Sequence, residues 1–189
     1  MSEFKFKLPI DDVLPNLLIA MRENNHAVLQ APPGAGKTTR VPIVLLESGM
    51  YQGKILMLQP RRLAARAAAV RLTEHFGDKL GQTVGYRMRG DNKTSKSTRI
   101  EVVTEGILTR MIQNDPELLD ISCIIFDEFH ERSLNADLGL TLCLEIRSAL
   151  RDDLAILVMS ATLDTSPISA LMGNAPILTS KGRSYDVAT

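Results

Sequence analysis

Nine consecutive residues carry the first chemistry in this sequence: Ala31, Pro32, Pro33, Gly34, Ala35, Gly36, Lys37, Thr38 and Thr39. Gly34 and Gly36 free the backbone to bend so that successive N–H groups face inward, and a helix starting at Lys37 would add the positive end of its dipole. Such a cradle takes an anion. Lys37 is placed to reach the β- and γ-phosphates of a nucleotide such as ATP, and the Thr38 hydroxyl to ligate Mg²⁺. The spacing follows the phosphate-loop pattern G-x-x-x-x-G-K-[ST] except at its first position, where Ala31 stands in place of glycine. Taken alone, the string is also compatible with a glycine turn that only caps a helix.

A second group closes an apolar run: Ser122 to Phe126 is followed by Asp127-Glu128-Phe129-His130. Asp127 suits holding a metal ion, and Glu128 suits polarising an attacking water, the division of labour that phosphoryl transfer requires. Alone, this tetrad reads as a solvated strand end. Beside a phosphate loop it completes a candidate site, with Lys37, Asp127, Glu128 and His130 as catalytic candidates and Thr38, Asp127 and Glu128 as candidate metal ligands.

These residues need a scaffold that brings them together. Short β-branched apolar runs at 26–31, 54–59, 99–103, 122–127, 155–160 and 176–179 alternate with segments of helical period at 10–23, 37–47, 63–76, 106–115, 136–150 and 166–172. That alternation predicts an α/β fold with a mainly parallel sheet covered by helices on both faces. In such a sheet, ligands bind at the carboxyl ends of the strands, so the loop and the tetrad should face one crevice. Residues 90–98 contain no apolar side chain and read as a polar, basic loop. Residues 1–180 read as one domain, and 181–189, which lose hydrophobic periodicity, as a tail or the start of a linker.

The 189 residues carry 22 Lys+Arg against 22 Asp+Glu, which excludes a uniformly basic, histone-like nucleic-acid binder but leaves room for a local basic groove. Arg61 and Arg62 follow a strand directly, and Thr104, Glu105 and Gly106 follow another, so guanidinium forks, a hydroxyl and helix N-terminal N–H groups gather where phosphates bind. Arg87, Arg89, Lys93, Lys96 and Arg99 either extend that track or form a solvated loop. With aromatics at 4% and no Trp, recognition by base stacking is not expected. Cys123 and Cys143 lie in apolar segments and form no metal or disulfide pattern, Met57 and Met159 read as packing, and His26 and His75 have no partner motif. No run reaches the roughly 18–20 apolar residues that cross a bilayer, and the expected location is the cytoplasm.

The loop and the tetrad occur in order with Gln59-Pro60-Arg61-Arg62, Thr104-Glu105-Gly106 and Ser160-Ala161-Thr162, and together they resemble the DEAH-type branch of superfamily 2 helicases. Phe129, in place of the usual alanine, is similar to the bacterial HrpB-type members of that branch. The likeness runs from about Asn25 to Ser184. It implies a RecA-like domain of three α/β/α layers that binds ATP and Mg²⁺ and holds single-stranded nucleic acid, RNA in the family, by its backbone. It also implies roles: Pro33 to Thr39 for nucleotide binding, Arg71 for stacking on adenine, and Asp127 and Glu128 for magnesium and water. His130 would link nucleotide to nucleic acid, Ser160, Ala161 and Thr162 would couple hydrolysis to strand separation, and Arg61, Arg62, Thr104, Glu105 and Gly106 would contact the strand.

In this family a second RecA-like domain supplies arginine fingers from a Q-x-x-G-R-x-G-R-type motif, and no such string occurs in these 189 residues. The expectation is therefore a first motor domain of a longer helicase, with turnover lowered by the roughly 10³–10⁵ that such a finger contributes. Two other classes stay open on the residues: a P-loop enzyme of another kind, such as a small-molecule kinase, and a non-enzymatic nucleic-acid or partner-binding module. NTP preference and oligomeric state are not encoded in these motifs.

Overall fold

The computed structural model describes residues 6–162 and 164–180. The tail expected at 181–189 lies outside the described residues. The strands are β1 (His26–Gln30), β2 (Lys54–Gln59), β3 (Val84–Met88), β4 (Asp91–Lys93), β5 (Ile100–Thr104), β6 (Ile121–Phe126), β7 (Ala155–Ser160) and β8 (Ile177–Thr179). The helices are α1 (Leu14–Asn24), α2 (Lys37–Glu47), α3 (Arg62–Phe76), α4 (Glu105–Asn114), α5 (Leu134–Ala149) and α6 (Ser166–Leu171), with 3₁₀ turns at Pro9–Asp12 and Phe129–Glu131. All eight strands join in one sheet in the order β4-β3-β5-β2-β6-β7-β1-β8. Every neighbouring pair is parallel except the β3–β4 hairpin.

The central strands read as continuous apolar runs because both of their faces are buried. Along β2, Ile55 and Met57 face one core with α1, α2 and α3, while Leu56 and Leu58 face the other with α4, α5 and α6. The same alternation holds along β6 and β7. This is the three-layer α/β/α arrangement expected from the alternating pattern. Met57 and Met159 are wholly buried packing residues, and Cys123 and Cys143 are buried free thiols. Burial pushes the Cys143 thiol up to about 12 and also raises that of Cys123, which makes both unreactive.

Two expectations need correction. The segment 90–98 is not all loop, because β4 pairs antiparallel with β3 and the Tyr86 hydroxyl donates to the Asp91 carboxylate at 3.1 Å. Its residues are polar because β4 is a short edge strand, where apolar side chains would invite pairing with another chain. β3 itself was hidden by Gly85, which the fold requires: a Cβ there would lie 2.4 Å from the Lys93 carbonyl oxygen. The helix expected over 10–23 begins later. Pro9–Asp12 forms a 3₁₀ turn and α1 starts at Leu14 with Pro15 in its first turn, where the missing N–H costs nothing.

Candidate functional site

The parallel sheet delivers the ends of β1, β2, β5, β6 and β7 to one edge. The phosphate-loop residues link β1 to α2, with Gly34 at φ 77° and Gly36 at φ 99°, both in territory that favours glycine. Gly36 also has no room, since a Cβ would meet Leu8 Cδ1 at 2.6 Å and Ile10 Cγ2 at 3.2 Å. Ala31, at the position where glycine is usual, is wholly buried and its N–H donates to the Ser160 carbonyl at 3.0 Å. Its own carbonyl accepts from Lys37 Nζ at 3.0 Å. Pro33 and Gly34 are exposed, Ala35 is buried, and the Thr39 hydroxyl donates to the Gly36 carbonyl at 3.3 Å.

β7 separates β1 from β6, so the tetrad stands two strands away from the loop. The side chains nevertheless meet. Thr38 Oγ1 donates to Asp127 Oδ2 at 2.5 Å, and Lys37 Nζ lies 3.9 Å from Glu128 Oε1. Lys37 is only 3% exposed and Asp127 only 4%, so both charges sit at the floor of the crevice rather than in free solvent. Burial raises the Asp127 carboxyl above its ordinary value; the Thr38 bond opposes that, the Glu128 charge adds to it, and the Glu128 N–H and Lys37 oppose it. Glu128 has φ 51°, a left-handed turn that swings the chain from β6 into the 3₁₀ turn and leaves the Glu128 carboxylate partly exposed. Strained backbone of this kind at a strand tip is a common mark of a functional position.

His130 joins the tetrad to the end of β7. Its Nδ1 accepts from the Ala161 N–H at 3.2 Å, a contact that the tautomer with hydrogen on Nε2 satisfies, and Glu128 Oε2 lies 3.4 Å from the same nitrogen. Ser160 is fully buried and its hydroxyl bonds the Thr162 hydroxyl at 2.8 Å.

The expected nucleic-acid residues occupy the continuation of this edge, where β2 and β5 run into α3 and α4. Arg61 and Arg62 are exposed at the start of α3, and Arg61 Nη2 pairs with Glu131 at 3.2 Å. Thr104 is the N-cap of α4, Gly106 is exposed, and Glu105 accepts from Ser133, whose hydroxyl also caps α5 at the Ala136 N–H. Arg89, Thr104, Gly106, Ile107 and Arg110 line a groove on this edge.

The basic stretch does not form one track. Arg87 Nε reaches the buried Glu101 carboxylate at 2.7 Å, and Arg99 donates to the Tyr51 carbonyl at 2.9 Å, at the start of β5 and therefore at the opposite edge of the sheet. Arg89 is the member that reaches the groove. Arg71 is exposed on α3, about 13 Å along the helix from Arg62 at 1.5 Å per residue, and makes no side-chain hydrogen bond or ion pair among the described residues. His75, without an expected partner, lies 3.2 Å from Glu47. Motif reading missed two features of the site. One is the Leu8–Ile10 segment, whose Ile10 N–H donates to the Ala35 carbonyl at 3.1 Å and whose side chains press on Gly36. The other is the partner of Gln59, the first residue of the Gln59-Pro60-Arg61-Arg62 motif: its amide donates to Asp127 Oδ2 at 2.5 Å.

A family model described as DEAD/DEAH box helicase matches residues 11–171, most of the chain. The chain belongs to the DEAD/DEAH box helicase family. Its α/β layers are the family's RecA-like domain, and membership implies use of a nucleotide. The chain is 53% identical over 180 residues to the ATP-dependent RNA helicase HrpB of Escherichia coli (strain K12), covering 95% of this chain and 22% of that protein. It is 40% identical over 184 residues to the human protein called probable ATP-dependent RNA helicase DHX40, covering 95% of this chain and 24% of that one. The crystal structure of the Escherichia coli DEAH/RHA helicase HrpB superposes with a TM-score of 0.92 at 53% identity, over 96% of this chain and 23% of that chain. This DEAD/DEAH domain thus spans about a fifth to a quarter of the length of these relatives. Among its described residues no helix is long and apolar enough to cross a membrane.

Proposed function

We propose that this domain is the first motor domain of an ATP-dependent RNA helicase, one that binds and hydrolyses ATP with Mg²⁺ while holding single-stranded RNA along its β2–β5 edge. The observation that carries this reading is the meeting of Thr38, Lys37, Asp127 and Glu128 at one end of the sheet, continuous with Arg61, Arg62, Thr104 and Gly106. The family relatives are named ATP-dependent RNA helicases, which supports both the nucleotide and the strand.

In this mechanism the Gly34–Thr38 backbone and Lys37 grip the phosphates, with the α2 dipole behind them. Thr38 Oγ1 and Asp127 are hard oxygen donors 2.5 Å apart, a donor set that fits Mg²⁺, which takes few protein ligands and fills its shell with phosphate and water oxygens. Mg²⁺ supplies neutralisation of the phosphate charge when bound. Glu128, partly exposed and held 3.9 Å from Lys37, orients the attacking water and takes its proton. His130, bonded to Ala161, ties the tetrad to Ser160-Ala161-Thr162 and so to strand separation. Arg71 stacks on the adenine from α3. Arg61, Arg62, the Thr104–Gly106 turn and Arg89 contact phosphates, which fixes register without reading sequence.

A second RecA-like domain, consistent with the longer relatives, supplies the arginine finger worth about 10³–10⁵ in rate. The two buried free thiols fit a reducing cytoplasm. The test is ATP turnover with and without single-stranded RNA in a chain carrying both motor domains. RNA should raise turnover, and Glu128→Gln should keep nucleotide binding while slowing hydrolysis about 10²–10⁴-fold. Wild-type turnover in Glu128→Gln would refute the assigned role.

A further inference from the structure

β2 lies between β5 and β6, so its tip stands between Thr104 on one side and Asp127 on the other. Gln59, the last residue of β2, is in register with Thr104, and Leu58 just before it receives the Asp127 N–H at 3.2 Å. The Gln59 side chain is 2% exposed and donates through Nε2 to Asp127 Oδ2 at 2.5 Å. That oxygen also accepts from Thr38, while Oδ1 accepts the Glu128 N–H at 2.9 Å. The three donors come from α2, β2 and the turn after β6 and hold both oxygens of one buried carboxylate. If Thr38 turns its oxygen toward a cation, Gln59 remains as the side-chain donor that keeps the carboxylate plane in place. A side chain needed only for packing at this strand tip would not have to carry an amide.

Resting on the proposed nucleotide site, we infer that Gln59 is a positioning residue that orients the Asp127 carboxylate for Mg²⁺–nucleotide from the same strand tip that carries Arg61 and Arg62. Partners of this kind, bonded to a ligating group, typically change metal affinity about 10–100-fold when removed. The amide donates and the carboxylate accepts, so a carboxylate or an apolar side chain at position 59 cannot substitute.

The experiment compares the affinity of a fluorescent non-hydrolysable ATP analogue in Mg²⁺ and in EDTA, for the unmodified chain and for Gln59→Leu. The expected result is a Mg²⁺-to-EDTA affinity ratio reduced about tenfold, with affinity in EDTA unchanged. Gln59→Asn, which keeps the polarity but draws the amide back by one methylene, should lower the ratio in the same direction and serves if the leucine variant does not fold. A ratio within twofold of the unmodified chain in a folded variant overturns the inference while leaving the nucleotide site intact. An unmodified chain with no Mg²⁺-dependent binding overturns the functional reading and this inference with it. Thermal stability read alongside separates the two roles, because a merely structural glutamine would lower the melting temperature without moving the ratio.

Discussion

Alanine at Gly36 and alanine at Gly34 look equivalent in the sequence, yet the structure separates them. Both glycines have positive φ, 77° at Gly34 and 99° at Gly36, and a Cβ at such an angle costs about 1–2 kcal/mol. At Gly34 a Cβ would meet nothing within 4 Å. At Gly36 it would meet Leu8 Cδ1 at 2.6 Å and the fully buried Ile10 at 3.2 Å. Leu8 makes the shortest contact and must leave its place against the loop, while Ile10 is fixed by packing and by its N–H bond to the Ala35 carbonyl, so overpacking adds about 1–2 kcal/mol. A domain of this size loses about 2–4 °C in melting temperature per kcal/mol. Gly34→Ala should therefore melt about 2–8 °C lower and Gly36→Ala about 4–16 °C lower, by thermal unfolding followed with circular dichroism. Leu8→Ala in the Gly36→Ala background should recover part of the difference by opening space. Equal losses for the two glycine variants, or no recovery, would refute the idea that the Leu8–Ile10 segment braces the loop.

Two further outcomes follow from the edge that continues past the phosphate-loop crevice. Arg61→Ala and Arg62→Ala should each weaken single-stranded RNA binding and reduce the slope of log K against log salt by about 0.7, one phosphate contact on a single strand; an unaltered slope would remove these contacts. Ser133→Ala deletes both the α5 cap at Ala136 and the bond to Glu105, so it should cost about 1–2 kcal/mol in urea unfolding, and a loss near zero would show that the cap is idle.

The parts legible in the sequence were those with strong local signals. α2 and the strands β2 and β7 appear with the bounds that apolar runs and the loop predicted, because each carries a continuous buried apolar run with a sharp start or stop. The meeting of Thr38 with Asp127 followed from the parallel-sheet rule that places strand tips on one edge. β4 was hidden because an edge strand with one neighbour needs no apolar pattern, and β3 because Gly85 reads as a breaker until the Lys93 carbonyl is seen packed against it. The Leu8–Ile10 brace carries no motif signal, and the Gln59-Pro60-Arg61-Arg62 motif marks Gln59 without showing what it bonds. Their roles come from contacts between residues far apart in the chain, Gln59 with Asp127 and Leu8 with Gly36, which spacing does not encode. The basic stretch stayed open between two readings for the same reason: charge density is visible in a sequence, but the Glu101 and Tyr51 partners that absorb Arg87 and Arg99 are not.

The assignment of the phosphate loop rests most directly on one binding measurement. Lys37 is buried at the crevice floor, with its ammonium on the Ala31 carbonyl and 3.9 Å from Glu128, so its charge is preorganised for an anion. The affinity of a non-hydrolysable ATP analogue with Mg²⁺ should fall about 100-fold or more in Lys37→Ala, the loss of a charge-assisted bond of about 3 kcal/mol, while the fold persists. Affinity unchanged from the unmodified chain would contradict the assignment of this crevice to nucleotide.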